Sequence, residues 1–339
     1  MLSFYRRLQN SGWDTRTQKC TPCKMPSIFF ALGALPLLYF AVHNLFLARK
    51  YPVHSKGIIL ITGASTGIGR HAAEHISHKY PDYLVLAGVR TDSDADSISQ
   101  LKKSNLLPIK IDVSSHDSIA AAVDQIKTLS AQKSIPLIAV VNNAGIGRCL
   151  PAEVHDVKDA KRVFDTNFFG VLDLIQATLP LLRESKGRII NMSSVAGLFG
   201  GICTSIYAAS KFALEGFSDS LRREVAAFDI SVSVIEPAFV RTPILDKAKQ
   251  ASSEIMHSEI TDESVRTLYN RTLAIVSAKE KAYVAKASDP IVTSQAIEDS
   301  IVNDYPKTRY VVANVDGLPA VVLVWLLWLM PDRLEDLIV

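Results

Sequence analysis

Cysteine is scarce in this chain, with 4 residues among 339. Four widely spread cysteines are too few for the disulfide framework of a small secreted domain. Cys20 and Cys23 have the spacing of a zinc or redox pair, but no second cysteine pair or histidine pair follows to complete a tetrahedral site. The sequence therefore predicts neither a disulfide scaffold nor a metal site.

The chain also lacks a large excess of either basic or acidic residues. The chain has 37 basic and 34 acidic residues, interspersed, for a net charge of +3. Nothing resembles the basic stripe that follows phosphates along a nucleic acid, so we expect a small-molecule partner and no nucleic acid. Internal repeats are also missing. With 48% hydrophobic residues, this length can bury one core of about 250 to 300 residues and carry an appendage.

Residues 27–48 form a run without formal charge, rich in Phe, Leu, Ala and Val. As a helix the run would be roughly 33 Å long, enough to cross about 30 Å of hydrocarbon. The polar, basic residues 1–26 are longer than the leader of a cleaved signal peptide. We expect a retained single-pass transmembrane anchor, with a hairpin or interfacial helix as the alternative because Pro36 lies within the run. The basic residues on its two sides leave the orientation undecided.

A second apolar run covers residues 318–330 and is too short to span a bilayer. It contains Trp325 and Trp328, and tryptophan favours membrane interfaces. The segment 318–339 is therefore expected to lie on a membrane surface or to close over an apolar pocket. An ordinary core helix is the alternative.

Between these segments, short β-branched runs alternate with helical patterns. The alternation predicts an α/β fold, a doubly wound seven-stranded parallel sheet of the Rossmann type, in one catalytic domain at residues 55–317 with a helical lid at about 243–290. Ligands of such sheets bind at the carboxyl ends of the strands. The predicted strands are 57–62, 83–87, 106–111, 136–142, 187–192, 230–235 and 309–312.

The first strand runs directly into a glycine-rich loop and then into a helix. Glycine lets the backbone approach a pyrophosphate, which then binds at the positive end of that helix. The loop predicts a dinucleotide site with the candidate residues Gly63, Ser65, Thr66, Gly67, Ile68 and Gly69.

The next strands predict the remaining nucleotide contacts. The second ends in Gly88-Val89-Arg90, without the carboxylate that would hold an unphosphorylated ribose, so Arg90 favours NADP(H) over NAD(H). The third ends where a carboxylate can accept a hydrogen bond from adenine. The fourth offers small side chains and free amides beside the ribose. The candidates on these two strands are Asp112, Val113, Asn143, Ala144 and Gly145.

His71-Ala-Ala-Glu74-His75 matches the H-x-x-E-H pattern of some zinc proteases. The helix that carries it starts at the glycine loop, and its N-terminus is already predicted to bind the pyrophosphate. We therefore interpret the motif as a partly solvated outer helix face.

Tyr207 and Lys211 are four residues apart at the start of a predicted helix, so the phenol and the ammonium share one face. The ammonium and a cationic nicotinamide ring can together lower the pKa of the phenol, which then exchanges a proton with a substrate oxygen. Ser194 follows the fifth strand and can hold the same oxygen. These residues predict an enzyme that interconverts alcohols and carbonyls.

The glycine loop, Asn142-Asn143-Ala144-Gly145, Asn167, Ser194 and Tyr-x-x-x-Lys occur in the order found in the short-chain dehydrogenase/reductase family, which residues 57–315 resemble. The resemblance implies that Lys211 also binds the nicotinamide ribose and that Asn167 anchors a water on the proton path. It further implies a cofactor-contacting loop after the sixth strand, with Ala238 where the family usually has glycine. The contacts it assigns there are Pro237, Val240 and Thr242.

The segment 217–224 and the following Glu-Pro loop look most like the membrane-bound retinol and hydroxysteroid dehydrogenases. That likeness implies a lipophilic retinoid or steroid substrate, a place in the endoplasmic reticulum membrane and a homodimer formed by the helices that carry Asn167 and Tyr207. Two alternatives stay open: a reductase of 3-ketoacyl thioesters in lipid metabolism, and a catalytically silent NADP(H)-binding scaffold.

Overall fold

The computed structural model describes residues 49–258 and 263–335. Seven strands make the main sheet: β1 (Gly57–Ile61), β2 (Tyr83–Val89), β3 (Leu106–Lys110), β4 (Leu137–Asn142), β5 (Arg188–Met192), β6 (Ser231–Pro237) and β7 (Arg309–Val312). The helices between them are α1 (Gly67–Lys79), α2 (Asp92–Ser99), α3 (His116–Lys133), α4 (Val157–Phe164), α5 (Gly170–Ser185), α6 (Ser205–Glu224), α7 (Ile244–Ser258), α8 (Glu263–Ala285) and α9 (Ile291–Val302). The chain continues through the short hairpin β8 (Asn314–Val315) and β9 (Leu318–Pro319) to α10 (Ala320–Leu329) and α11 (Asp332–Glu335).

The main sheet has the order β3-β2-β1-β4-β5-β6-β7, and every neighbouring pair is parallel. This confirms the predicted seven-stranded parallel sheet, each strand within two residues of its predicted limits. The order reverses between β1 and β4, and the crevice at such a reversal is where ligands of this architecture bind.

The strands have apolar side chains on both faces of the sheet. Helices therefore cover both faces, and each face has its own apolar layer. One layer packs α3, α5 and α6 on the sheet through Ile119, Leu174 and Leu214. The other packs α1 and α9 through Ile76 and Ile297. The helix starts follow their capping signals: Ser115 and Asp156 accept hydrogen bonds from the first turns of α3 and α4.

The segment expected to form a lid contains two helices, α7 and α8. The second apolar run forms β9 and α10. The run predicted to be a transmembrane anchor, residues 27–48, lies outside the described residues. Within residues 49–258 and 263–335, no helix combines the length and apolarity needed to cross a bilayer.

His71, Glu74 and His75 are each of intermediate exposure, in agreement with the interpretation of this face as partly solvated. Two of the side chains also contact α9, where His71 Nδ1 lies 2.7 Å from Ser294 Oγ and His75 Nε2 lies 2.6 Å from Glu298 Oε2. These contacts supply partners for polar groups that are partly removed from water. The described residues contain no group of histidine, cysteine and acidic side chains arranged to hold a metal.

Arg188, at the start of β5, is the largest of the fully buried side chains in the described residues, at 2% exposure. Its guanidinium donates to the carbonyl oxygens of Ser300, Asn303 and Pro52 at 2.7 to 2.9 Å. The sheet is thereby joined to the end of α9 and to the chain segment that precedes β1.

Replacing Arg188 by Met keeps the aliphatic stem and removes these donors. We expect the free energy of unfolding to fall by about 3 kcal/mol, because buried carbonyl groups lose their partners. Denaturant titration of the variant gives the measurement, with Lys133→Met on the exposed end of α3 as the matched control. A variant as stable as the control would show that Arg188 only fills space.

Candidate active site

A cavity of about 560 Å³ opens at the carboxyl ends of the strands. Its lining brings together nearly all of the residues predicted from the sequence: Gly63, Ser65, Thr66, Gly67, Ile68, Arg90, Asp112, Val113, Asn143, Ala144, Gly145, Ser194, Tyr207, Lys211, Pro237, Val240 and Thr242. Gly69 and Asn167 are the two predicted residues outside the lining.

The glycine loop takes the shape that a phosphate cradle requires. Gly63 has a φ of +64°, a left-handed conformation that side chains disfavour. A Cβ on Gly69 would lie 2.4 Å from Asn143 Nδ2 and 2.5 Å from Gly63 O, so only glycine allows α1 to start this close to β4. The loop and the start of α1 therefore fit a dinucleotide pyrophosphate.

The ends of β1 and β4 are joined by side-chain hydrogen bonds. The Thr62 hydroxyl accepts from the amides of Asn143 and Ala144, each at 3.0 Å, and Asn143 Nδ2 donates to Thr62 O at 2.8 Å. The expectation of free amides at these two residues is wrong, because Thr62 already uses them. What Asn143 and Ala144 offer a cofactor is a small, fixed surface next to the glycine loop.

Arg90 is exposed at the end of β2 and lines the cavity. The nearby acidic side chains are engaged elsewhere: Asp92 pairs with Lys110 at 2.9 Å, and Asp94 accepts from the Thr91 hydroxyl at 2.8 Å. A Cβ on Gly88 would lie 2.8 Å from Ile111, so this position has no room for a carboxylate side chain. Arg90 therefore supplies a positive charge at this end of the cavity.

Ser194, Tyr207 and Lys211 meet where β5 faces the first turns of α6. The Ser194 hydroxyl donates to Pro237 O at 3.4 Å and lies close enough to the Tyr207 phenol to lower its pKa. Lys211 is buried, donates from Nζ to Met192 O at 2.7 Å, and lies with Nζ 5.9 Å from the centre of the Tyr207 ring. The helical spacing of Tyr207 and Lys211 thus places both side chains on the face that looks into the cavity.

Burial favours the uncharged form of both titratable groups, the Tyr207 phenol and the Lys211 amine. It raises the pKa of the Tyr207 phenol, and the hydrogen bond from Ser194 opposes that rise. It lowers the pKa of Lys211 to about 8, and the charge of Glu215 opposes that fall. A proton on this pair can therefore be moved by a modest change in nearby charge.

Asn167 sits in a single π-helical turn, Asp165–Phe169, between α4 and α5. Its Oδ1 accepts from Ile146 N, and its Nδ2 donates to Ile146 O and Ser210 Oγ at 2.9 to 3.1 Å. These bonds fix the loop after β4 against α6, close to Lys211. Such turns are rare in proteins as a whole, and those that occur are often found at functional sites.

The loop after β6 accommodates Ala238 without a special backbone. Ala238 is not among the described residues with positive φ, and its amide donates to Val312 O at 3.0 Å. Thr242, further along, packs against the glycine loop: a Cβ on Gly67 would lie 3.3 Å from its side chain. The loop therefore closes over the first turn of α1 at the cavity wall.

The far wall of the cavity comes largely from the two segments that were expected to form a lid (243–290) and either to close over an apolar pocket or to lie on a membrane surface (318–339), but its individual residues were not identified from the sequence. It includes Phe239, Leu245, Val276, Tyr283, Leu323 and Leu327. These apolar residues come from the loop after β6 and from α7, α8 and α10, where helical spacing identifies a buried face without showing what that face contacts. The wall extends the nucleotide crevice into an apolar compartment.

The family model described as short chain dehydrogenase matches residues 57–253. Retinol dehydrogenase 16 of Rattus norvegicus is 30% identical over 271 residues, which cover 79% of this chain and 84% of that protein. Retinol dehydrogenase 5 of Mus musculus is 31% identical over 287 residues, covering 82% and 86%. The matched segment contains the glycine loop, Ser194, Tyr207 and Lys211.

Among solved structures, a short chain dehydrogenase/reductase of Burkholderia phymatum in complex with NAD superposes with a TM-score of 0.66 at 20% identity, covering 83% of this chain and 94% of that one. An actinorhodin polyketide ketoreductase with NADPH gives a TM-score of 0.61 at 22% identity, covering 76% and 96%. At this identity the two structures show the fold. Together with the family match, they establish that the chain belongs to the short-chain dehydrogenase/reductase family and is an NAD(P)-dependent oxidoreductase of alcohols and carbonyls.

Proposed function

We propose that this enzyme interconverts an alcohol and a carbonyl on a lipophilic substrate of retinoid or steroid type, with NADP(H) as cofactor and Tyr207 as general acid and base. The observation that carries the proposal is the convergence of Ser194, Tyr207 and Lys211 on one cavity that also contains the glycine loop. Retinol dehydrogenases at about 30% identity support the substrate class.

In the oxidising direction, the substrate hydroxyl gives its proton to Tyr207 while its carbon loses a hydride. The nicotinamide supplies the hydride acceptor or donor when bound. Ser194 holds the substrate oxygen by a hydrogen bond and so fixes its distance to the phenol. In the reducing direction, Tyr207 returns the proton to the oxygen of the new alcohol.

Lys211 has two tasks in this proposal. Its ammonium lies close enough to the Tyr207 ring to favour the phenolate, which offsets the effect of burial on the phenol. It also lies near Gly145, where a Cβ would be 3.7 Å from Nζ, so it can reach a ribose held beside that glycine. Asn167 keeps the loop after β4 in place next to Lys211, and the water that it would anchor remains a prediction.

The character of the cavity wall supports a lipophilic substrate. Beyond Tyr207, aliphatic and aromatic side chains such as Phe239, Val276 and Leu327 form much of the lining, and the charged side chains among them are Lys247, Lys279 and Glu280. An apolar compartment of this kind favours a hydrocarbon body over a charged one, because burying an unpaired charge is costly. A 3-ketoacyl thioester would place its acyl chain here, so both classes belong in the substrate panel.

The proposed cofactor preference depends on Arg90. A guanidinium forms strong paired hydrogen bonds with a phosphate, and Gly88 leaves no room for a competing carboxylate. The acidic residues that follow Arg90 are held by Lys110 and Thr91. A 2′-phosphate at this position would therefore meet one positive charge.

We also propose that α10 contacts a lipid bilayer. Its inner side, Leu323 and Leu327, lines the cavity, whereas its outer side exposes Trp325 to 59% and Trp328 to 77%. Exposed tryptophans next to further apolar residues mark a surface that binds another apolar phase. The predicted anchor at residues 27–48 would hold the chain at such a surface, in the endoplasmic reticulum as we expect.

A homodimer remains a prediction as well. The helices proposed to form it expose large apolar side chains, with Phe169 exposed to 53%, Phe212 to 47% and Val157 to 67%. These residues lie on the π-helical turn, on α6 and on α4. Pairing of two copies would cover them.

Replacing Tyr207 by Phe removes the proton donor and keeps the ring. Turnover of a retinoid or steroid alcohol is expected to fall by at least about a hundredfold, with cofactor affinity within a fewfold of wild type. Cofactor absorbance, followed for detergent-solubilised protein with retinoid, steroid and acyl substrates, gives the measurement. Tyr305→Phe, an exposed tyrosine outside the cavity lining, is the control. Wild-type turnover by the Tyr207→Phe variant would refute the role of the phenol.

Replacing Arg90 by Leu removes the charge proposed to select the phosphorylated cofactor. Affinity for NADPH should fall by about tenfold or more, while affinity for NADH changes little. Titration of cofactor fluorescence measures both constants, and Arg223→Leu on the exposed end of α6 serves as the control. An equal loss for both cofactors, or a wild-type preference for NADH, would contradict the assignment.

The bilayer contact of α10 can be tested by tryptophan fluorescence. In a Trp13→Phe background only Trp325 and Trp328 remain. For the full chain in vesicles, brominated acyl chains should quench about half or more of their emission, and aqueous acrylamide should quench little. The single variants Trp325→Phe and Trp328→Phe then show the depth of each ring. Quenching by acrylamide alone would place this face in water and overturn the proposal.

A further inference from the structure

Arg309, on the last strand of the main sheet, binds three carboxylates. Its guanidinium lies 3.1 Å from Glu215 Oε2, 3.1 Å from Glu236 Oε1 and 3.1 Å from Asp219 Oδ2. Glu215 and Asp219 come from α6, and Glu236 comes from β6. If all three carboxylates were ionised, this one guanidinium could not balance their charge.

Two of these carboxylates are buried: Glu236 is 0% exposed and Glu215 is 6% exposed. Several of their oxygens have no hydrogen bond of good geometry, namely Glu215 Oε1 and both oxygens of Glu236. A buried carboxylate oxygen without a donor is costly, and two ionised carboxylates in contact repel each other. One proton shared between Glu215 and Glu236 removes both costs, because it supplies the missing donor and cancels one charge.

The buried position of Glu236 shows which carboxyl keeps that proton. Burial raises the pKa of Glu236 to about 8, with the neighbouring charge of Glu215 acting in the same direction. Burial raises the pKa of Glu215 as well, but Arg309 opposes that rise, since its Nε donates to Glu215 Oε2 at 3.2 Å and its Nη2 lies 3.1 Å from the same oxygen. The negative charge therefore rests on Glu215.

Glu215 lies one helical turn after Lys211 and two turns after Tyr207. It is the charged group that raises the pKa of Lys211 against the effect of burial. The other charged groups at the junction are Asp219 and Arg222 on α6 and Arg309 on β7, and Asp219 is paired with both arginines. Ser193, which contacts Glu215, directly precedes Ser194 in the chain.

We propose that Glu215 and Glu236 form an acid pair that shares one proton, and that the resulting single charge on Glu215, clamped by Arg309, keeps Lys211 protonated beneath Tyr207. Glu215, Glu236 and Arg309 act through Lys211 and are positioning residues. The inference rests on the proposed function for its kinetic test, since it concerns the residues that hold the proton of that reaction.

The acid pair of Glu215 and Glu236 determines the pH above which the rate of carbonyl reduction declines. Reduction needs a protonated Tyr207, and an anion nearby disfavours ionisation of the phenol and favours the charged form of Lys211. Removing the charge of Glu215 lowers the pKa of both groups. The alkaline limb of the pH profile then moves to lower pH.

The kinetic test compares full-length wild type with Glu215→Gln, Glu236→Gln and Asp219→Asn in carbonyl reduction at saturating NADPH. We expect Glu215→Gln to move the alkaline limb of kcat/KM down by about one pH unit. Glu236→Gln keeps the limb in place, because the amide replaces the protonated acid as donor to Glu215. Asp219→Asn, which loses a contact to the same Arg309 at a more exposed position, also keeps it. A limb that stays in place in Glu215→Gln, or that moves equally in all three variants, overturns the proposal.

A second measurement needs no substrate and separates this inference from the proposed function. Infrared spectroscopy of the wild-type protein at neutral pH should show the carbonyl band of a buried protonated carboxylic acid. The band should disappear in Glu236→Gln and persist in Asp219→Asn. Its absence from the wild type, or its persistence in Glu236→Gln, refutes the shared proton even if the enzyme turns over retinoids as proposed.

Discussion

The hydrogen bonds between the ends of β1 and β4 are the constraint on which the site depends. The Thr62 hydroxyl accepts two backbone amides of the next strand, and Asn143 returns a bond to the carbonyl of Thr62. The strand order reverses between these two strands, so the bonds hold open a crevice of fixed shape. The glycine loop starts at one edge of the crevice, and the loop that ends next to Lys211 starts at the other. A shift in this joint would separate the phosphate cradle from the reacting groups.

Helix α6 places the proposed reacting groups and the carboxylate that supports them in a row along its length. Tyr207, Lys211 and Glu215 follow one another at intervals of four residues, so a phenol, a cation and an anion lie on one helical face. The phenol faces the cavity, and the anion faces the sheet. Glu215 raises the pKa of Lys211, and Glu215 is in turn held by Arg309 of β7, so the charge next to Lys211 depends on a partner outside α6.

The sequence predicted the sheet well because strands buried on both faces are continuous apolar runs with turn signals between them. Nearly all of the site residues that it predicted line the cavity, since residues such as Gly63, Tyr207 and Lys211 belong to local motifs whose spacing has chemical meaning. Predictions from local spacing were wrong where a group is bound by a residue that is distant in the chain. An example is the pair of backbone amides of Asn143 and Ala144, which donate to the Thr62 hydroxyl. Arg309 and Glu236 were not identified for the same reason, because 73 residues separate their positions in the chain (309 − 236).

Arg309 follows the helical segment 243–290 and lies on the strand that is added last to one edge of the sheet. Until residue 309 has left the ribosome, α6 and β6 can assemble with the rest of the sheet, but their buried carboxyl groups have no cation to balance them. An unbalanced charge in an apolar environment is strongly destabilising. During synthesis, therefore, the charge balance at this end of α6 is completed only once residue 309 has emerged, and a nascent chain that stops within residues 243–290 has the nucleotide crevice without the guanidinium that holds Glu215.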